Sequence, residues 1–226
     1  TMERIGMPLL IHGEVSDVNV DVFDREAVFI ERHLEPLLRR FSSLKVVLEH
    51  ITTIDAIDFV ENSKSNIAAT ITPHHLHINR NAMFNGGLRS DFYCLPTAKR
   101  EIHRIALRKA ATSGECCFFL GTDSAPHTRK FKENSCGCAG IFNAPVALQS
   151  YLKVFEEENA LDKFESFASI NGANFYGLPL NKERINLVKK NISVPEIIDV
   201  GLEGDINDFV KPFHAGEMLA WSIVDD

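Results

Sequence analysis

The sequence has no run of about 18 uninterrupted apolar residues, and its opening, Thr1-Met2-Glu3-Arg4, lacks the apolar core that a signal peptide needs. Neither membrane spanning nor secretion is expected. Cations are in deficit: 24 Lys and Arg against 31 Asp and Glu leave a net charge of −7, a surface that repels phosphate backbones. Nucleic acid is therefore not an expected partner. Cysteine is scarce and odd in number, five in 226 residues. Cys94, Cys116-Cys117 and Cys136-Gly137-Cys138 do not stand at disulfide-framework spacings, which suits a reducing, cytoplasmic location. Internal repeats, low-complexity segments and Ser/Gly linkers are also missing, so residues 1–226 are read as a single domain. With 45% hydrophobic and 24% charged residues the composition is that of an ordinary globular protein, so disorder is not the default reading.

Short apolar runs alternate with longer amphipathic stretches. The runs are Pro8 to His12, Leu44 to His50, Ile67 to Thr72 and Cys116 to Asp123. Their continuous apolar character predicts strands covered on both faces, as in a parallel sheet. Helical spacing links the first two runs (Phe23, Ala27, Phe29, Ile30, Leu34, Leu37, Leu38), follows the second (Ile54 to Val60) and precedes the fourth (Thr97 to Ser113). The result is a βαβαβ rhythm and an α/β fold. Two more helices are predicted at Ala144 to Glu158 and Leu161 to Ile170, the latter ended by Asn171-Gly172, before a mixed tail with a last apolar stretch from Met218 to Val224. Arg4-Ile5-Gly6-Met7-Pro8 reads as a helix C-terminus with almost no helix in front of it, so the chain is expected to begin inside an element.

Three polar residues stand where an apolar run gives out: His12, His50 and Asp123. The carboxyl ends of parallel strands line the active sites of α/β proteins. Any one of the three could be a satisfied histidine or a capping aspartate, but three at equivalent strand ends point to a site. Imidazole and carboxylate together suit zinc or a similar metal. Asp123 and His127, within Gly121-Thr122-Asp123-Ser124-Ala125-Pro126-His127, could face one cleft. His75-Leu76-His77 would share one side of a strand, but it follows the third run rather than the first, and no metal role is assigned to it. Cys136 and Cys138 have no second Cys pair to complete a metal site.

Five segments stand out in order and spacing: Ile11-His12-Gly13-Glu14, Glu49-His50-Ile51-Thr52-Thr53, Tyr93-Cys94-Leu95-Pro96, Gly121 to His127 and Ser135-Cys136-Gly137-Cys138-Ala139-Gly140. Together they resemble the bacterial single-function dihydroorotases of the amidohydrolase superfamily. The resemblance implies a (β/α)8 TIM barrel with two zinc ions. The implied reaction is the reversible closure of N-carbamoyl-L-aspartate to L-dihydroorotate in pyrimidine synthesis. That family's first strand supplies a His-x-His metal pair and a substrate-binding arginine, and its fourth a carboxylated lysine bridging both metals. Neither is present. The chain is therefore expected to carry strands five to eight, with the barrel portion over 1–178 and a C-terminal extension over 179–226, and to be inactive alone.

The resemblance further implies that His12 and His50 bind the more exposed zinc and Asp123 the more buried one, with Asp123 also the catalytic base. Substrate contacts would come from His12, from the Leu95 main chain on the pyrimidine ring edge, and from His127 and the Ala139 main chain on the carboxylate. Phe167 to Leu178 resembles the helix-turn that closes such barrels. A half-barrel exposes two unpaired sheet edges, so the N-terminal half or a second copy, as a homodimer, is expected to cover them. The alternatives are a non-catalytic half-barrel or scaffold subunit, and a related cyclic amidase of the hydantoinase or allantoinase type, against which the Tyr93 to Pro96 and Cys136 to Ala139 loops stand.

Overall fold

The computed structural model describes residues 1–200 and 208–224. A single turn of helix, α1 (Met2–Ile5), ends at Gly6 in the left-handed conformation and leads into β1 (Leu9–His12). A long helix, α2 (25–40), passes through a π-helical segment at Ile30–Leu34 and reaches β2 (Val46–Glu49). Next come α3 (Ile54–Glu61), β3 (Ile67–Ile71), a short α4 (Pro73–His77), α5 (Glu101–Thr112) and β4 (Phe118–Leu120). A turn of helix, α6 (Arg129–Lys132), then α7 (Ala147–Glu157) and α8 (161–176) follow.

β1 to β4 form one parallel sheet in sequence order, each neighbouring pair joined through helix. Side chains alternate across it. Val46, Leu48, Ile67, Ala69, Ile71 and Phe118 face the helices and are 0–3% exposed. They pack in one core with Leu34 of α2, Ile57 and Val60 of α3, Leu107 of α5, Tyr151 and Phe155 of α7, and Phe167 of α8. Each Val, Leu, Ile or Phe side chain among them contributes roughly 1.5–3 kcal/mol by burial. The opposite face carries Val47, Ala68 and Phe119, against which Phe175 and Tyr176 from the end of α8 fold.

The sheet departs from the expected two-sided cover at β1. Leu10 shares its face with Val47 in register and is 49% exposed, because β1 is an edge strand with open space on that side among the described residues. The last predicted helix is also longer than its sequence suggests. It does not stop at Asn171-Gly172 but runs to Tyr176 and ends at left-handed Gly177. The Asn171 side chain, instead of breaking the helix, donates to the Glu115 and Phe118 carbonyls, and a side chain at Gly172 would press on the Phe119 ring at 3.2 Å. Asparagine and glycine here bring the helix close to β4.

The tail forms short antiparallel pairs. β5 (Asn186–Val188) pairs with β10 (Ser222–Val224), β6 (Ile192–Ser193) with β9 (Met218–Leu219), and β7 (Ile198–Asp199) with β8 (Phe209–Val210). Val194 and Leu219 close on Val146 ahead of α7, while Leu187 and Trp221 reach the main core. Residues 201–207 and 225–226 of the expected extension lie outside the described residues. No helix of the described residues is long and apolar enough to cross a membrane.

Candidate active site

The carboxyl ends of the four strands meet on the face opposite the helices. In register, His12 lies beside Glu49 and Thr70 beside Phe119, and Gly121, two residues beyond Phe119, shares its face at the end of β4. Gly121 must be glycine, since a Cβ there would sit 2.4 Å from the Thr70 Cβ. The space it leaves lets Thr70 Oγ1 accept from the His50 N–H at 2.7 Å and donate to Glu49 at 2.6 Å. That bond holds His50 just past its strand at φ 43°, and Asp123 stands past β4 at φ 42°. Non-glycine residues in this region cost energy and collect at functional sites.

His12 Nδ1 and His50 Nε2 face each other at 3.3 Å, with ring centroids 4.9 Å apart. The other nitrogen of His12 bonds Glu14 Oε2 at 3.0 Å, a carboxylate spaced two residues along the same strand direction. A neutral imidazole donates through one nitrogen and accepts through the other, so in the tautomer whose Nε2–H donates to Glu14 the Nδ1 lone pair is turned toward His50. Burial, and then the proximity of His12, pull the His50 imidazole down to about 4, so it stays neutral. Its Nδ1 is buried without a hydrogen-bond partner. The Asp123 carboxyl is pushed upward by partial loss of solvent, pulled down by His12 and pushed up by Glu49, although the residue as a whole remains exposed. Asp123 is thus within electrostatic reach of His12 and Glu49.

Beneath the rim lies a buried charged network that sequence reasoning missed. Glu26 of α2, 2% exposed, accepts from the Thr52 N–H and from the Thr52 and Thr53 hydroxyls, fixing the loop that follows His50. Lys99 Nζ lies 3.9 Å from Glu14 Oε1 and, along with desolvation, acts on Glu26. Burial raises Glu26 and lowers Lys99. Glu14 was visible within the first motif; Glu26 and Lys99 carried no sequence signal.

The loop residues gather beside the strand ends. Gly140, at φ 152°, packs so closely that a Cβ would stand 2.8 Å from His127 Cδ2, so the Ala139-Gly140 segment and His127 are neighbours. Leu95 is 36% exposed between buried Cys94 and Pro96. A cavity of about 270 Å³ adjoins His127, Lys132 and Gly140, but the three strand-end residues do not line it.

A second cluster has a metal-like composition. Donor atoms of His74, His75 and Cys94 lie within 4.8 Å of one another, all buried. The wiring argues against a ligand role. His75 Nε2 donates to the Pro96 carbonyl at 2.9 Å and Nδ1 accepts from the Thr72 hydroxyl at 2.8 Å, while burial pushes the Cys94 thiol up to about 12. His77 lies on α4 rather than on a strand, and its Nε2 donates to the Ser150 carbonyl. All five cysteines are free.

The donor set at the rim fits a zinc ion. Two nitrogens bound tetrahedrally at about 2.0–2.1 Å lie about 3.3–3.4 Å apart, the spacing at which His12 and His50 hold theirs. A carboxylate on the imidazole's far nitrogen is the usual support of a metal-binding histidine.

The sequence matches the amidohydrolase family over residues 1–190. It is 64% identical over 223 residues to a dihydroorotase of Synechococcus sp. (strain CC9605), covering 99% of this chain and 62% of that protein. The fold is similar to that of dihydroorotase from Saccharomyces cerevisiae in complex with 5-fluoroorotic acid (TM-score 0.86, 35% identity, 99% of this chain and 64% of that one). An L-hydantoinase (dihydropyrimidinase) from Arthrobacter aurescens, 15% identical, is similar in fold alone, with a TM-score of 0.77 over 98% of this chain and 55% of that one. The chain thus spans about three-fifths of the length of its dihydroorotase relatives. With a parallel sheet whose strands are joined through helices and a family match over residues 1–190, the chain belongs to the amidohydrolase family.

Proposed function

We propose that this chain is the C-terminal portion of a zinc-dependent dihydroorotase of the cytoplasm. It would carry strands five to eight of a TIM barrel over 1–178 and a C-terminal extension over 179–226. The reaction is the reversible cyclisation of N-carbamoyl-L-aspartate to L-dihydroorotate in pyrimidine biosynthesis. The observation that carries the reading is the pair of imidazole nitrogens 3.3 Å apart at the strand ends, in a chain 64% identical to a protein named dihydroorotase.

His12 and His50 would hold the more exposed zinc ion and Asp123 the more buried one. When bound, zinc supplies a Lewis acid for the amide carbonyl and makes water acidic enough to attack near neutral pH. Glu14 keeps His12 in the tautomer whose Nδ1 lone pair is available. In the hydrolytic direction a carboxylate oxygen of Asp123 accepts the proton of the attacking water. As the carbon–nitrogen bond of the ring breaks, Asp123 delivers that proton to the leaving nitrogen. His12 also contacts substrate. The Leu95 main chain reads the ring edge without depending on its side chain, and His127 and the Ala139 main chain bind the carboxylate.

The N-terminal half of the barrel, with its His-x-His pair, arginine and bridging carboxylated lysine, completes the site and covers the edges of β1 and β4. The assembly is a homodimer, and the 226-residue segment is inactive alone. Purified full-length enzyme should interconvert L-dihydroorotate and N-carbamoyl-L-aspartate, and lose this activity when zinc is chelated. Hydrolysis of a hydantoin with no action on dihydroorotate would overturn the assignment.

A further inference from the structure

Lys132, the last residue of α6, is a lysine with no carboxylate within 4 Å of its Nζ among the described residues, yet it is only 8% exposed. Its ammonium donates to three main-chain carbonyls: Tyr93 at 2.9 Å, Cys138 at 3.0 Å and Gly140 at 2.7 Å. A protonated lysine has three N–H donors and a neutral amine only two, so three acceptors match the charged form. Two segments far apart in sequence, the one around Leu95 and the one around Ala139, are tied to one cation.

The consequence for Ala139 follows from peptide geometry. The Cys138 carbonyl and the Ala139 N–H belong to one planar trans unit and point to opposite sides of the chain. Fixing the oxygen aims the hydrogen. The neighbouring groups are occupied as well: the Cys138 N–H donates to Phe131 and the Gly140 N–H to Tyr93. Among the described residues the Ala139 N–H makes no hydrogen bond, and the His127 ring lies against Gly140 next to it. One free amide, one imidazole and the field of a buried cation converge there, a combination that takes a carboxylate.

We propose that Lys132 is a positioning residue that aims the Ala139 N–H at the substrate carboxylate and thereby sets affinity for an anionic ring over a neutral one. This rests on the dihydroorotase reading above. Lys132 itself does not touch substrate.

The test uses the zinc-loaded full-length enzyme carrying Lys132→Met, with Lys132→Arg beside it. Lys132→Met should raise KM for L-dihydroorotate and Kd for orotate by about 10- to 100-fold, the effect of one hydrogen bond to a charged group. Turnover at saturation should stay within about threefold and zinc content should not change. Lys132→Arg keeps the charge in a planar fork that does not match three carbonyls and should raise KM by a smaller factor. Should Lys132→Met fail to fold, the arginine variant decides alone, an unchanged KM overturning the proposal. An unchanged KM in Lys132→Met, or equal losses of kcat and zinc, would make Lys132 a structural staple. If the unmodified enzyme shows no action on dihydroorotate, the function is wrong instead, and the two failures are distinguishable.

Discussion

Two groups of histidines among the described residues differ in how their ring nitrogens are engaged. His74, His75 and His77 are closer together in sequence, and the first two lie beside Cys94, so by composition this is the better metal site. Yet His75 has both nitrogens engaged, and His77 spends its donor on the Ser150 carbonyl. His12 and His50 are 38 residues apart, and they face each other with nitrogens that no other group claims. What separates ligand from filler is an available lone pair at an open rim, which depends on what holds the far side of each ring.

The largest effect that could break this contrast is on turnover. Asp123→Asn in the full-length enzyme should reduce kcat on the order of 10²- to 10⁴-fold, the usual contribution of a positioned acid–base group. The fold, followed by its thermal melt, should remain. Retention of more than a few percent of activity would move the base elsewhere. In the other group, His75→Ala should leave bound zinc unchanged but cost about 2–5 kcal/mol of stability, through the cavity and the loss of the ring's bonds to the Pro96 carbonyl and the Thr72 hydroxyl. Loss of zinc in that variant, measured by atomic absorption, would mean that the contrast has been drawn the wrong way round.

A smaller effect tests the support beneath the rim. Thr70→Val keeps the shape of the side chain and removes the hydroxyl that holds His50 at φ 43° and bonds Glu49. The buried His50 N–H loses its partner, at a cost of about 1–3 kcal/mol. A denaturation midpoint unchanged from the parent would show that the strained residue is held by something else.

The strands were legible because buried parallel strands carry continuous apolar runs, and His12, His50 and Asp123 stood out because each follows such a run. The end of α8 was not legible: Asn171-Gly172 has a helix-stopping composition, and only the closeness of Phe119 and the Glu115 and Phe118 carbonyls gives it another use. Lys132 lies in Arg129-Lys130-Phe131-Lys132-Glu133, a segment that reads as solvated surface. Its burial is decided by loops that close over it from residues 93 and 138–140. Glu26 and Lys99 were hidden for the same reason, since a charged residue's burial depends on partners distant in sequence.

The mildest prediction concerns the pH at which the inward histidines betray themselves. Burial, and then His214, whose ring centroid lies 4.7 Å away, pull the His77 imidazole from its usual value of 6.5 down to about 3. Lys153 and Arg108 also disfavour the charged form, and the bond to the Ser150 carbonyl opposes them. The unfolded chain then takes up a proton as pH falls through 6.5, whereas the folded chain does not until about 3. Stability contributed by neutral His77 is therefore complete above pH 6.5 and declines as pH drops toward 3. Between pH 7 and 5.5 the loss from this one group is about 1 kcal/mol. His77→Gln retains an N–H donor for the Ser150 carbonyl and removes the titration, so its stability should fall less steeply over that interval than the parent's. Urea midpoints at the two pH values measure the difference. Parallel slopes would mean that His77 accepts its proton in the folded state as readily as in the unfolded one, and the inward group would then be less sealed than its hydrogen bonds imply.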